Sequence, residues 1–92
     1  MINSFRDSEA EKLFNDRFSK RYQAFERTAQ RKLTLLDEAE TLKDLAALPG
    51  MRLQALAGDR QGQYSIRIND QFRICFTWED GNADRVEIMD YH

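Results

Sequence analysis

The chain has 92 residues, 41% hydrophobic and 33% charged, with a net charge of −2, one cysteine and one histidine. That length leaves no room for a second core, so a single domain over residues 1–92 is expected, and the composition is that of a folded chain rather than a disordered one. No apolar run approaches the roughly 20 residues that span a bilayer, the opening MINSFRDSEAE carries charges where a signal peptide needs an apolar stretch, one cysteine cannot form an internal disulfide, and one Cys with one His supplies too few ligands for structural zinc; a cytoplasmic protein is expected.

In chain order, MINSFR is an apolar–polar mix that reads as a first strand. Ser8 with Glu11 fits a capping box and opens a short helix through Phe14, with Ala10, Leu13 and Phe14 on one face. A longer helical pattern follows, with Tyr22, Phe25, Ala29, Leu33 and Leu36 three or four apart. Its flank is basic: between Arg17 and Leu36 six Lys and Arg stand against Glu26, which reads either as a solvated helix face or as a local surface for an acidic partner. Thr41 caps a third helix in TLKDLAAL, which Pro49-Gly50 ends. Beyond Pro49 the period falls to two, in QYSIRI, QFRICFTW and, after the turn signal Glu79–Asn82, ADRVEIM. One strand, then two to three helices, then antiparallel strands make an α+β domain with the helices on one face of the sheet.

The main hairpin fixes what lies on the other face. Tyr64, Ile66, Ile68, Phe72, Ile74, Phe76 and Trp78 share a parity and belong against the helices. A two-residue turn would put Arg73 among them, whereas a three-residue turn over 69–71 pairs 66 with 74 and keeps every large apolar residue on one side. That register sets Arg67 directly across from Arg73 on the open face, with Ser65, Cys75 and Thr77 beside them. Like charges opposed in a sheet destabilise it by up to about 1 kcal/mol, but they make an electropositive spot suited to a phosphate. By the same parity Val86 and Ile88 face the core, and if their strand lies beside 71–78 it delivers Asp90, Tyr91 and His92 to the edge of the arginine face, Asp90 and His92 having core parity but strand rules lapsing at a terminus. The alternative is that the arginines solvate an open sheet.

Arginine, tyrosine and histidine in one place suit phosphoryl chemistry on RNA, whose 2′-hydroxyl is its own nucleophile. Such a site needs to deprotonate that hydroxyl, neutralise the phosphate and protonate the leaving 5′-oxygen. The sequence has no Gly-rich phosphate loop and no carboxylate pair for glycoside chemistry. A Cys75–His92 thiol pair is a competing arrangement, set against Cys75 as a small packing residue.

The segment GDRQGQYSIRINDQFRICFTWEDGNADRVEIMDYH (58–92), with MINSF and RKLTLLDEA (31–39), resembles the HigB toxins of the RelE/ParE superfamily over nearly the whole chain. The resemblance implies a small RelE-like domain and a ribosome-dependent endoribonuclease that cuts messenger RNA in the A site without a metal or other cofactor. It implies a HigA-type helix-turn-helix antitoxin as partner, with operator DNA reached only through the antitoxin. Carried over by motif, Arg73 is implied to stabilise the scissile phosphate, Tyr91 and His92 to act in catalysis with Asp90 in support, and Arg67 and Arg60 to grip RNA. The chain departs from the family pattern before GDR, where Gln54 and Ala57 stand in place of the usual His and Lys. Two other readings belong to the same superfamily: a non-catalytic toxin that binds a target such as DNA gyrase, and a degenerate member that binds only its antitoxin.

Overall fold

The computed structural model describes residues 1–91. Three helices, α1 (Ser8–Phe14), α2 (Glu26–Glu38) and α3 (Leu42–Ala47), precede four strands, β1 (Gln54–Ala55), β2 (Gln63–Arg67), β3 (Phe72–Glu79) and β4 (Asn82–Asp90). The strands form an antiparallel sheet in the order β1-β2-β3-β4.

The apolar positions read from the sequence build the core. Ala29, Leu33 and Leu36 of α2 meet Ile66, Ile74, Phe76, Val86 and Ile88 of the sheet, with Leu13 of α1 and Leu45 of α3 in the same cluster. At one end of the sheet an aromatic group joins the layers: Phe25 lies 4.7 Å and Tyr22 6.1 Å from the Phe72 ring. Because Phe72 opens β3 and pairs with Asp90, the start of α2 and the end of β4 are brought to the same end of the molecule.

Local chemistry explains the helix ends. Thr41 caps α3 as expected, its hydroxyl accepting from the Asp44 amide at 3.0 Å. For α1 the cap is Asp7 rather than Ser8. Its carboxylate accepts from the Glu9 amide at 2.9 Å, from the Tyr22 hydroxyl at 3.2 Å and from the Ile88 amide at 3.3 Å. Two of these partners are remote in sequence, and they select Asp7 over its neighbour. The pattern beginning at Tyr22 starts as a 3₁₀ turn over Gln23–Phe25 before α2 proper.

The N-terminal segment lies parallel to β4, bridged at Ile2–Ala83 and Phe5–Val86. A β-bulge in β4 separates the two bridges: Cys75 faces Glu87 but Thr77 faces Asp84, so β4 carries an extra residue there. Arg85 sits in this bulge with φ of 54°. The bulge interrupts the pleat, which is why Ala83 and Val86 both face the core although their parities differ.

Candidate active site

The β2–β3 hairpin has the register read from its apolar parity. Ile66 pairs with Ile74 and Arg67 with Arg73, and the Ile68 amide donates to the Phe72 carbonyl at 3.0 Å around the turn at 69–71. Asn69 stabilises that turn, its side-chain carbonyl accepting from the amides of Gln71 and Phe72 at 2.9 and 2.8 Å. On the face turned from the helices, one row of residues crosses the sheet as Gln54, Ser65, Cys75 and Glu87, and the next as Arg67, Arg73 and Met89.

Arg73 is the fixed point of this face. Its Nε donates to the buried Ser65 hydroxyl at 2.7 Å, and one terminal nitrogen donates to the Arg52 carbonyl at 2.6 Å. Its guanidinium carbon lies 6.0 Å from the centre of the Tyr91 ring. Burial pulls the Arg73 pKa below its ordinary value, with Arg67 and Arg52 acting in the same direction and Cys75 and Tyr91 opposing. An arginine nevertheless stays cationic at any physiological pH. A partly desolvated, rigidly held guanidinium is a stronger anion ligand than a free one because less ordering remains to be done on binding.

Of the C-terminal residues, Tyr91 reaches the edge of this face. β4 runs to Asp90, and the Tyr91 amide donates to the Gln71 carbonyl at 2.5 Å, tying the chain end to the hairpin turn. Met89 and Tyr91 fall on the arginine side. Asp90 keeps the alternation of Val86 and Ile88, and its carboxylate accepts from the Gln71 side-chain amide at 3.1 Å. Asp90 thus anchors the tail through the turn. Tyr91 is 41% exposed beside a depression of about 240 Å³ lined by Arg60, Cys75, Met89, Asp90 and Tyr91. The expectation for His92 falls outside the described residues.

The two remaining arginines have protein partners. Arg67 forms an ion pair with Asp70 across the hairpin turn. Arg60, from the 3₁₀ turn Gly58–Arg60, lies over the sheet and donates to Gln63 Oε1 at 3.0 Å and to Met89 Sδ at 3.3 Å, with Glu87 Oε2 at 3.5 Å. Cys75 is fully buried in this face, and burial pushes its thiol pKa up, Glu87 adding to the rise while Arg60 and Arg73 oppose it. A protonated, covered thiol is a poor nucleophile and suits packing, while the His92 half of the competing pair lies outside the described residues. Gln54 lies on the edge strand opposite Ser65, and Ala57 is exposed just before the 3₁₀ turn.

Sequence parity placed Ser65 on this face but gave no sign that it holds Arg73. The Arg52 carbonyl and Glu87 were not singled out at all, since a main-chain acceptor leaves no mark in a sequence. Among the described residues no group of three or more His, Cys, Asp or Glu is arranged to hold a metal ion, and no helix is long and apolar enough to cross a membrane.

Comparison with known proteins agrees with this architecture. The model of a family described as the RelE-like toxin of the type II toxin–antitoxin system HigB matches residues 3–92. Toxin HigB-1 of Vibrio cholerae serotype O1 is 38% identical over 87 residues, covering 90% of each chain. Among solved structures, the YoeB–YefM toxin–antitoxin heterotetramer of Staphylococcus aureus superposes with a TM-score of 0.61 at 21% identity, covering 100% of this chain and 98% of its own. YafQ of Escherichia coli strain BL21(DE3) gives 0.58 at 14% identity, covering 94% and 91%. The structural likenesses bear on the fold, while the family model and the HigB-1 identity bear on kinship: this chain belongs to the HigB-like toxins, RelE-like toxins of type II toxin–antitoxin systems.

Proposed function

We propose that this toxin is an endoribonuclease that cuts messenger RNA in the ribosomal A site, so inhibiting translation and arresting growth. The observation that carries the reading is the Arg73 guanidinium, held by Ser65 and the Arg52 carbonyl on an open sheet face within 6.0 Å of the Tyr91 ring, in a chain of this family. In the reaction the 2′-oxygen bonds to phosphorus and gives up its proton, and the bond to the 5′-oxygen breaks as that oxygen takes one. The products are a 2′,3′-cyclic phosphate and a 5′-hydroxyl.

Arg73 meets the negative charge that grows on the phosphoryl oxygens. Tyr91 and His92 handle the two protons, and Asp90 supports them, its bond to Gln71 tying the end of β4 to the hairpin turn. The nucleophile belongs to the substrate, so the chemistry requires no metal or other cofactor from the protein. Arg67 and Arg60 bind flanking phosphates by exchanging their bonds to Asp70 and Glu87 for bonds to RNA. A type II toxin has an antitoxin as its partner. We assign that role here to a HigA-type helix-turn-helix protein, through which the pair reaches operator DNA, and we assign the pair to the cytoplasm as one toxin domain over residues 1–92.

Primer extension on messages from cells expressing the chain without antitoxin tests this. Discrete cuts inside translated frames are expected, lost in Arg73→Ala and in His92→Ala. Growth arrest with intact messages, unaffected by His92→Ala, would point instead to a bound target such as gyrase. Normal growth would point to a member that binds only its antitoxin.

A further inference from the structure

Lys32 lies in the middle of α2 and is 4% exposed. Its ammonium donates to the Gly50 carbonyl at 2.9 Å and to the Arg67 carbonyl at 2.5 Å. Among the described residues it forms no ion pair with a carboxylate. Burial lowers its pKa from the ordinary value, and Arg31, Arg67 and Arg73 lower it further. A buried cation near other cations costs stability that an apolar side chain of the same length would not. The core gives no reason for it, so the reason lies in what the ammonium holds.

It holds the first of three consecutive carbonyls, each of which accepts a bond. The Gly50 carbonyl takes Lys32 Nζ, the Met51 carbonyl takes the Arg67 amide at 2.8 Å, and the Arg52 carbonyl takes the Arg73 guanidinium at 2.6 Å. The segment turns sharply, with φ of 78° at Gly50 and 47° at Arg52. For Arg52 that left-handed conformation is unfavourable and persists only if its surroundings enforce it. Met51, fully buried, pins the middle of the segment to the core. The helix layer therefore reaches the open face of the sheet through three residues of main chain.

We propose that Lys32 is a positioning residue for Arg73: it fixes the 50–52 segment and with it the Arg52 carbonyl that, together with Ser65, aims the guanidinium. The inference rests on Arg73 being the phosphate-binding group.

The test uses the full chain with Lys32→Met, Lys32→Gln as a neutral donor, Arg73→Ala, and the Lys32→Met/Arg73→Ala double variant. Four quantities are measured: melting temperature, the Arg73 Nε–Hε resonance, affinity for a 2′-O-methyl RNA oligonucleotide, and cleavage on ribosomes. Lys32→Met is expected to change the melting temperature little, the relief of a buried cation offsetting the two carbonyls left without its bond. Its Arg73 resonance shifts and broadens, RNA affinity and cleavage fall roughly tenfold as expected for a displaced site group, and Lys32→Gln recovers part of the loss. In the Arg73→Ala background Lys32→Met costs nothing further. An unmoved Arg73 resonance, an equal loss in the Arg73→Ala background, or a fall in melting temperature that accounts for the loss would overturn the proposal. Should the wild type cut no RNA, the nuclease reading fails by itself, and the resonance and the double variant still decide the role of Lys32.

Discussion

Asp7 and Tyr22 show how single polar groups tie distant parts of this chain together. Tyr22 is buried, and burial first and the Asp7 carboxylate second push its pKa from 10.0 up to about 12. A group whose folded pKa is raised contributes stability that is fully present below its unfolded pKa and is lost as pH climbs through the folded one. The unfolding free energy should therefore fall between pH 10 and pH 12, and Tyr22→Phe should flatten that fall while costing about 1 kcal/mol at neutral pH for the lost hydrogen bond. Denaturant titrations of both proteins at pH 8, 10 and 11.5 check this; parallel loss in the two would contradict it. Alternation alone puts Arg67, Arg73 and Ser65 on one face in the sequence, while the place of Tyr91 depends on which strand lies beside β3. The bonds that make Arg73 rigid were not legible, because one goes to a main-chain oxygen and the other joins residues of two strands. Nor did the sequence mark Lys32, whose long-range acceptors are also carbonyls.

Among the elements, the hairpin was the most legible, since burial of one face leaves a single register open to it. The edge elements were less so. β1 has two residues and is strand only because β2 lies beside it. The N-terminal segment, with the pattern of a strand, does run along β4, but the bulge at Arg85 divides its pairing into two bridges. That bulge lets the Arg85 amide donate to the Ser4 hydroxyl at 2.9 Å, and it realigns the rest of β4 so that Glu87, Met89 and Tyr91 face the arginines. Because the Arg85 side chain is exposed and its φ is positive, its backbone decides what the site tolerates. Arg85→Val should cost about 1–2 kcal/mol, since a β-branched residue resists the left-handed region, whereas Arg85→Gly should be neutral or stabilising. Thermal unfolding of the two variants separates this from a role for the Arg85 charge, which would make both variants equally unstable.

The molecule as a whole sorts its charge by position, which a net charge of −2 conceals. Arg67 and Arg73 stand at the end of the sheet where, on the core side, Phe72 gathers Tyr22 and Phe25 from the segment leading into α2. The acids collect at the far end of β3, where Glu79 and Asp80 enter the turn at Gly81. There the Glu40 carbonyl stands 3.3 Å from the place a Cβ on Gly81 would occupy, joining that turn to the acidic stretch 37–44. Asp70 and Asp90 also stand at the arginine end, so its cationic character is confined to the sheet face that carries Arg73. In the proposed nuclease the arginine face directs the 2′-hydroxyl of the RNA at its own phosphate. Ribosomes programmed with a message carrying a single 2′-deoxy nucleotide at the mapped cut decide this. Cleavage is expected to disappear at that nucleotide, while the all-ribose message yields a 2′,3′-cyclic phosphate and a 5′-hydroxyl. Undiminished cleavage at the deoxy nucleotide, or a product with a 5′-phosphate, would contradict it.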